Sequence, residues 1–224
     1  MIIDIITLFP SIFDEIFATS ILKRAKDKDL LSTNIINLRN YATNNYGSVD
    51  DYAYGGGAGM VMQVEPIANC LNEWKQKRNY DEVIYTAPDG KKLTQAVSNE
   101  LSLHKSICIL CGHYKGIDER IRQHLITREI SIGDYVLSGG ELAAAVIADS
   151  VVRLLPGVLS DETSALSDSF QDGLISPPVY TRPADFNGWR VPDILLSGNQ
   201  KAIDEWRMEQ SLIRTKERRP ELIH

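Results

Sequence analysis

The chain has 224 residues, enough to bury a full-sized core, and its 43% hydrophobic and 24% charged content is that of an ordinary globular protein of one domain or one and a half. A formal net charge of −6 excludes unspecific polyanion binding, so any RNA contact must be local. No run reaches the roughly 18 apolar residues of a membrane span, and the apolar start carries Asp4 without a basic leader or small-residue cleavage site, which argues against a signal peptide and for the cytoplasm.

Residues 2–7 read as a buried strand, after which Pro10 and Ser11 open a helix with Ile12, Phe13, Ile16 and Phe17 at helical spacing. A first basic region, Lys23, Arg24, Lys26 and Lys28, follows that helix, and residues 31–38 give the next strand. Residues 39–59 turn polar and Gly-rich, too long for a structureless connection, and read as a functional loop. Beyond them, helices at 65–76, 94–103 and 118–124 alternate with strands at 82–86, 106–111 and 128–131, and a helix at 141–155 completes the unit. Such alternation predicts a parallel sheet covered on both faces. Ligand loops then fall at the carboxyl ends of strands, here residues 87–90, 112–116 and 132–140.

Between 156 and 178 the composition shifts to Ser, Asp, Gly and Pro, which marks a linker. A last helix is expected over 200–219, stopped before Pro220. Ile203, Trp206 and Ile213 share one face of it, and Arg207, Arg214 and Arg218 form a stripe alongside that reads either as a solvated face or as a phosphate-backbone contact. With Lys216 and Arg219 these arginines make the second basic region.

The three cysteines are an odd number for a disulfide framework. Cys108 and Cys111 form a CxxC inside the apolar run SICILCG, where residues three apart on a strand point to opposite faces, so they are read as core and not as a metal site. GGGAG at 55–59 lacks the Gly-Lys-Ser/Thr of a phosphate loop, and no GxGxxG opens a helix directly after a strand. The most informative stretch is SIGDYVLSGGEL at 131–142, where glycine turns at a strand end allow main-chain groups to approach a small ligand closely. Asp168 beside Phe170 is an environment that can raise a carboxylate toward useful base strength, or else a cap or solvated loop acid. Arg153 reads as a cation on a helix C-terminal dipole.

These segments, together with LFP (8–10), Pro88, CGHYKGIDER (111–120), PGVL (156–159), DSF (168–170), YTRP (180–183), LLSGN (195–199) and RRPEL (218–222), resemble the bacterial tRNA (guanine(37)-N1)-methyltransferases of the SPOUT class over nearly the whole chain. The resemblance implies an α/β fold: a SPOUT-type parallel sheet with a C-terminal trefoil knot over 1–157, a linker at 158–178, and a small α-helical tRNA-binding domain at 179–224. It implies methyl transfer from S-adenosylmethionine to N1 of the guanine 3′ of the anticodon, by a homodimer with composite active sites. Matching positions assign Asp168 as general base and, beside it, Arg153 as the candidate that steadies charge on guanine O6. They assign the cofactor to Tyr85, Thr86, Pro88, Gly112, Tyr114, Ser131, Ile132, Gly133, Tyr135, Leu137, Gly139 and Gly140. RNA contacts are expected at Arg24, Asp50, Ser169, Arg207, Arg214 and Arg218.

Four departures stand out. Ala53 replaces a proline in the family's DDxPYGGGxGM, Ala143 replaces another after GGEL, and the tail is short, ending at His224. Lys115 stands where the family usually has a Glu linked to magnesium-assisted activity, which puts magnesium dependence in question. The competing readings are a SPOUT methyltransferase acting on another RNA nucleotide and a non-catalytic RNA-binding relative.

Overall fold

The computed structural model describes residues 1–159 and 168–223, and separates into two compact units, Met1–Ser160 and Asp161–His224. Most of the expected linker's first half, 160–167, and the terminal His224 lie outside the described residues.

In the first unit five strands form one parallel sheet: β1 (Ile2–Thr7), β2 (Ser32–Asn37), β5 (Glu82–Lys92), β6 (Ser106–Cys111) and β7 (Arg128–Ser131), in the order β2-β1-β6-β5-β7. All six residues of β6 are buried, as expected of a central strand whose sequence is an unbroken apolar run. The strand faces alternate: Ile3, Ile107, Ile109 and Cys111 enter one core layer, whereas Ile6, Cys108 and Leu110 enter the other. Cys108 and Cys111 therefore lie on opposite faces of the sheet, and burial pushes both thiols well above their usual range.

Helices α2 (Ser20–Asp27), α4 (Gln95–Ser102) and α6 (Glu141–Val152) cover one face; α3 (Val64–Lys77) and α5 (Glu119–Leu125) cover the other. Thr94 and Asp118 cap α4 and α5, accepting from Val97 N and Arg120 N. Buried Asp4 is held by Asn34 at 2.7 Å, Tyr80 at 2.6 Å and Arg78 at 3.1 Å, so it enters the core fully partnered.

Two expectations from the sequence are corrected here. The helix expected after Pro10 is broken into a 3₁₀ turn (Pro10–Phe13), a single turn α1 (Asp14–Phe17) and the separate α2. The break falls at Thr19, which is extended, and at Ser20, whose φ is 50°. The loop expected over 39–59 contains an antiparallel hairpin, β3 (Asp50–Tyr52) with β4 (Met60–Met62), whose Gly-rich turn needs positive φ at Gly55, Gly56, Gly57 and Gly59.

The second unit holds a short hairpin, β8 (Asp185–Phe186) with β9 (Trp189–Arg190), and helices α7 (Asp193–Leu196) and α8 (Gln200–Arg218). Asn199 caps α8 by accepting from Ala202 N. The buried positions of α8 are Ile203, Ser211 and Thr215, whereas Ile213 is exposed, so the buried stripe is rotated from the apolar face expected. Among the described residues no helix is long and apolar enough to cross a membrane.

Candidate active site

The carboxyl ends of β6 and β7 and the middle of β5 open onto one cavity of about 720 Å³, a size suited to a nucleoside-scale ligand. Every position that the resemblance assigns to the cofactor lines it, from Tyr85, Thr86 and Pro88 through Gly112 and Tyr114 to the segment between Ser131 and Gly140. Two strand-end loops, 112–116 and 132–140, thus meet, but the loop expected at 87–90 is instead a bulge inside β5, whose pairing with β7 resumes at Lys91.

Local geometry explains why glycine occupies the joints. A Cβ on Gly140 would lie 2.0 Å from Thr86 Oγ1 and 2.8 Å from Gly112 N, and the Gly140 N–H donates to Gly112 O at 2.8 Å. The loop after β7 is therefore pressed backbone to backbone against the end of β6. A Cβ on Gly133, whose φ is +157°, would sit 2.3 Å from the exposed Tyr135 ring, which would have to swing aside. Ser131 Oγ donates to Gly133 O at 3.0 Å and closes this turn. On the β5 side, the pairing with β7 shifts register between Thr86 and Lys91, so residues 87–90 bulge toward the cavity. Gly90 is required there: a Cβ would lie 2.7 Å from Ile130 N.

Sequence reasoning missed two polar networks. Glu141, only 3% exposed, accepts from Thr7 Oγ1 at 2.6 Å and meets His113 Nε2 at 2.8 and 3.0 Å. Arg122 pairs with Asp89 at 2.8 Å and with Glu129, and its guanidinium lies over the Tyr85 ring, 5.6 Å from the centroid. The Arg122 hydrogen bond holds the Asp89 carboxyl below its usual range, and burial raises the Tyr85 phenol, which stays neutral. These partners stand 28 and 33 residues apart along the chain, and no local pattern announces such pairs.

Lys115 lines the same cavity, its N–H bonded to Met60 O at 3.0 Å and its stem packed against Gly59, where a Cβ would be 2.9 Å from Lys115 Cγ. The Gly-rich hairpin thereby reaches the cavity rim. Asp50 sits in β3 of that hairpin, half-buried, and Arg24 is exposed on α2.

Arg153 is not part of the cavity. Glu141 begins α6 beside it, and 12 residues later Arg153 is the C-cap, roughly 18 Å along the helix axis. Asp168 and Ser169 belong to the second unit, in a compact turn. Ser169 Oγ bonds Ser176 N and Oγ, each at 3.0 Å; Phe170, at φ 73°, donates to Leu174 O at 2.7 Å; and Gln171 N donates to Asp168 O. The turn is tied to α8 by Ile175 N donating to Thr215 Oγ1 at 2.9 Å and by Arg219 stacked on Phe170 at 5.6 Å. Asp168 is half-buried, with Oδ2 shielded from solvent. On α8, Arg207 and Arg218 are exposed, but Arg214 is half-buried with its Nε shielded, so the expected arginine stripe is not uniformly solvent-facing.

Comparison with known proteins gives the same ordering of segments a family. A family model described as tRNA (Guanine-1)-methyltransferase TrmD matches residues 1–224. The chain is 61% identical over 223 residues to a tRNA (guanine-N(1)-)-methyltransferase of Bacteroides thetaiotaomicron, covering 100% of this chain and 99% of that one. Proteins of the same name from Porphyromonas gingivalis and Flavobacterium johnsoniae are 60% and 57% identical, with the same coverage of both chains. The chain belongs to the tRNA (guanine-1)-methyltransferase TrmD family.

Proposed function

We propose that this protein is an S-adenosylmethionine-dependent tRNA methyltransferase of the cytoplasm that modifies N1 of the guanine 3′ of the anticodon. The observation that carries the reading is the family match over the full chain, joined to a cavity at the ends of β6 and β7 whose walls are largely glycine backbone and apolar side chains. Such walls suit an adenine ring read by main-chain groups. The donor supplies, when bound, a sulfonium methyl that requires alignment and no activation.

In this reading the chain between β6 and α6 passes through a trefoil knot, which brings the Gly139-Gly140 segment against Gly112 and Thr86. Guanine N1 carries a proton, so a base is required, and Asp168 takes that proton. An ordinary Asp has a pKa of about 3.9, and each unit of mismatch with the far weaker acid at N1 costs about 1.4 kcal/mol. Arg153 offsets much of this by bonding O6, where charge develops, since one preorganised donor contributes roughly 3 to 4 kcal/mol. The target guanine leaves its stack to reach them. Ser169, Asp50, Arg24, Arg207, Arg214 and Arg218 hold the RNA.

Arg153 lies a helix length from its own cavity, which supports a homodimer whose sites combine residues of both protomers. Helix α6 is apolar around most of its circumference, yet Leu142 and Val146 are 57% and 44% exposed, beside exposed Phe9 and Ile12. A helix of that composition calls for a second covering surface, and an antiparallel α6 from a second copy would bring Arg153 to the partner's cavity.

Incubation with unmodified tRNA and methyl-labelled donor, followed by mapping of the labelled base, tests the reading. Label at N1 of the guanine 3′ of the anticodon is expected. Label at another nucleotide favours a relative of different specificity, and donor binding without transfer favours a non-catalytic RNA-binding role.

Lys115 gives a separate expectation. A cation at the cavity rim occupies the place of a metal-attracting carboxylate and offsets charge on O6 or on the donor's carboxylate, so turnover should differ less than about twofold between magnesium and chelator. Lys115→Glu should introduce a magnesium response. Strong magnesium dependence of the native protein would contradict this role.

A further inference from the structure

We propose that His113 is a positioning residue that sets the shape of the cavity wall through its bond to Glu141. The inference rests on the reading of the cavity as the methyl-donor site, but its geometry stands apart from that reading.

Glu141 is the first residue of α6 and is almost fully buried. Thr7 Oγ1 already accepts from Phe9 N at 2.9 Å, which leaves its own proton for Glu141 at 2.6 Å. His113 Nε2 lies within hydrogen-bond distance of both carboxyl oxygens, at 2.8 and 3.0 Å. One buried group thereby joins the end of β1, the loop after β6 and the start of α6.

The same histidine also fixes the loop that precedes α6. His113 pairs with Gly139 through an antiparallel bridge. The approach is so close that a Cβ on Gly139 would lie 2.1 Å from His113 Nε2 and 2.5 Å from Glu141 Oε2. The ring is held on its other sides by Phe9, at 5.0 Å, and by the edge of Tyr114, at 6.1 Å. The middle of the loop is held separately, by Lys92 donating to Asp134 at 2.6 Å and by the Ser131–Gly133 turn, while the Tyr135 and Val136 side chains are exposed. The Gly139-Gly140 end of this cavity wall is set where His113, Glu141 and Gly112 converge. None of these contacts requires His113 to touch a reacting atom.

The test uses the full-length protein, S-adenosylhomocysteine as the binding probe, and His113→Ala beside His113→Gln, whose amide can still donate to Glu141. Loss of a buried hydrogen bond that holds the cavity wall should weaken binding by roughly tenfold. His113→Ala should raise the probe's Kd and the KM for S-adenosylmethionine by that factor while kcat at saturating donor stays within about threefold. His113→Gln should recover most of the loss. A Kd for His113→Ala within twofold of the native value overturns the proposal. So does a fall in kcat with KM unchanged, which would place the ring among the reacting groups. Equal weakening in both variants with an equal drop in Tm marks mere packing and also overturns it. Failure of the native protein to bind the probe would instead strike the donor-site reading.

Discussion

Asp168→Asn should reduce methyl transfer to tRNA by about a hundredfold to ten-thousandfold, the span that a positioned general base contributes, while S-adenosylhomocysteine binding stays within about twofold. The substitution keeps the shape of the side chain and removes its capacity to take a proton. The turn around it is held by other groups: the Asp168 carbonyl, the Ser169 hydroxyl, the Phe170 N–H and the Thr215 hydroxyl on α8. Thermal unfolding measured beside single-turnover rates at saturating tRNA and donor separates a loss of the chemical step from a loss of stability. A companion loss with Arg153→Ala, by roughly a hundredfold to a thousandfold, follows if that guanidinium meets O6. Retention of near-native rates in Asp168→Asn would remove the base from the mechanism.

Gly140→Ala should be the most damaging single methyl group in the cavity. The added carbon would lie 2.0 Å from Thr86 Oγ1, 2.8 Å from Gly112 N and 2.9 Å from Cys111 Cα. Its backbone φ of −83° is open to alanine, so the obstacle is contact alone. The Thr86 hydroxyl could rotate, but the other two atoms belong to the central strand of the sheet and its immediate continuation, which have no slack. The wall formed by residues 132–140 must then move away from β6, breaking the Gly140–Gly112 hydrogen bond at 2.8 Å. Overpacking of this kind costs at least about 1–3 kcal/mol, and a displaced wall should weaken donor affinity roughly a hundredfold or more. Calorimetric titration with S-adenosylhomocysteine beside thermal unfolding checks this. Unchanged affinity would mean that the close approach of the two loops does not shape the site.

Strand β6, and β1 apart from Asp4 and Thr7, were legible because burial on both faces leaves a mainly apolar run. Residues 2–7, 106–111 and 128–131 form strands with the bounds expected from sequence. Strand β5 runs on to Lys92 through a Pro and a Gly because its edge partner β7 resumes pairing beyond the bulge, which a local reading cannot see. The hairpin around Gly55 was hidden for the opposite reason: its strands are three residues each and its turn is all punctuation. On α8 the apolar positions misled, since small Ser211 and Thr215 form the buried side and Thr215 spends its hydroxyl on Ser211 O and Ile175 N. Two of the cavity loops could be placed by the strand-end rule, and their residues by family resemblance. The His113–Glu141 bond could be found by neither, because it joins the loop after β6 to the start of α6, which only the folded sheet brings together.

The central claim is that a carboxylate of the segment after α6 strips a proton from a purine while an arginine from the far end of that helix steadies the anion. A structure of the protein bound to tRNA and a non-reactive donor analogue measures this directly. An Asp168 oxygen should lie within about 3 Å of guanine N1, with Arg153 of one protomer on O6 and the donor in the cavity of the other. A guanine seated in the closed complex with no Asp168 carboxylate of either protomer in reach of N1 would contradict the account.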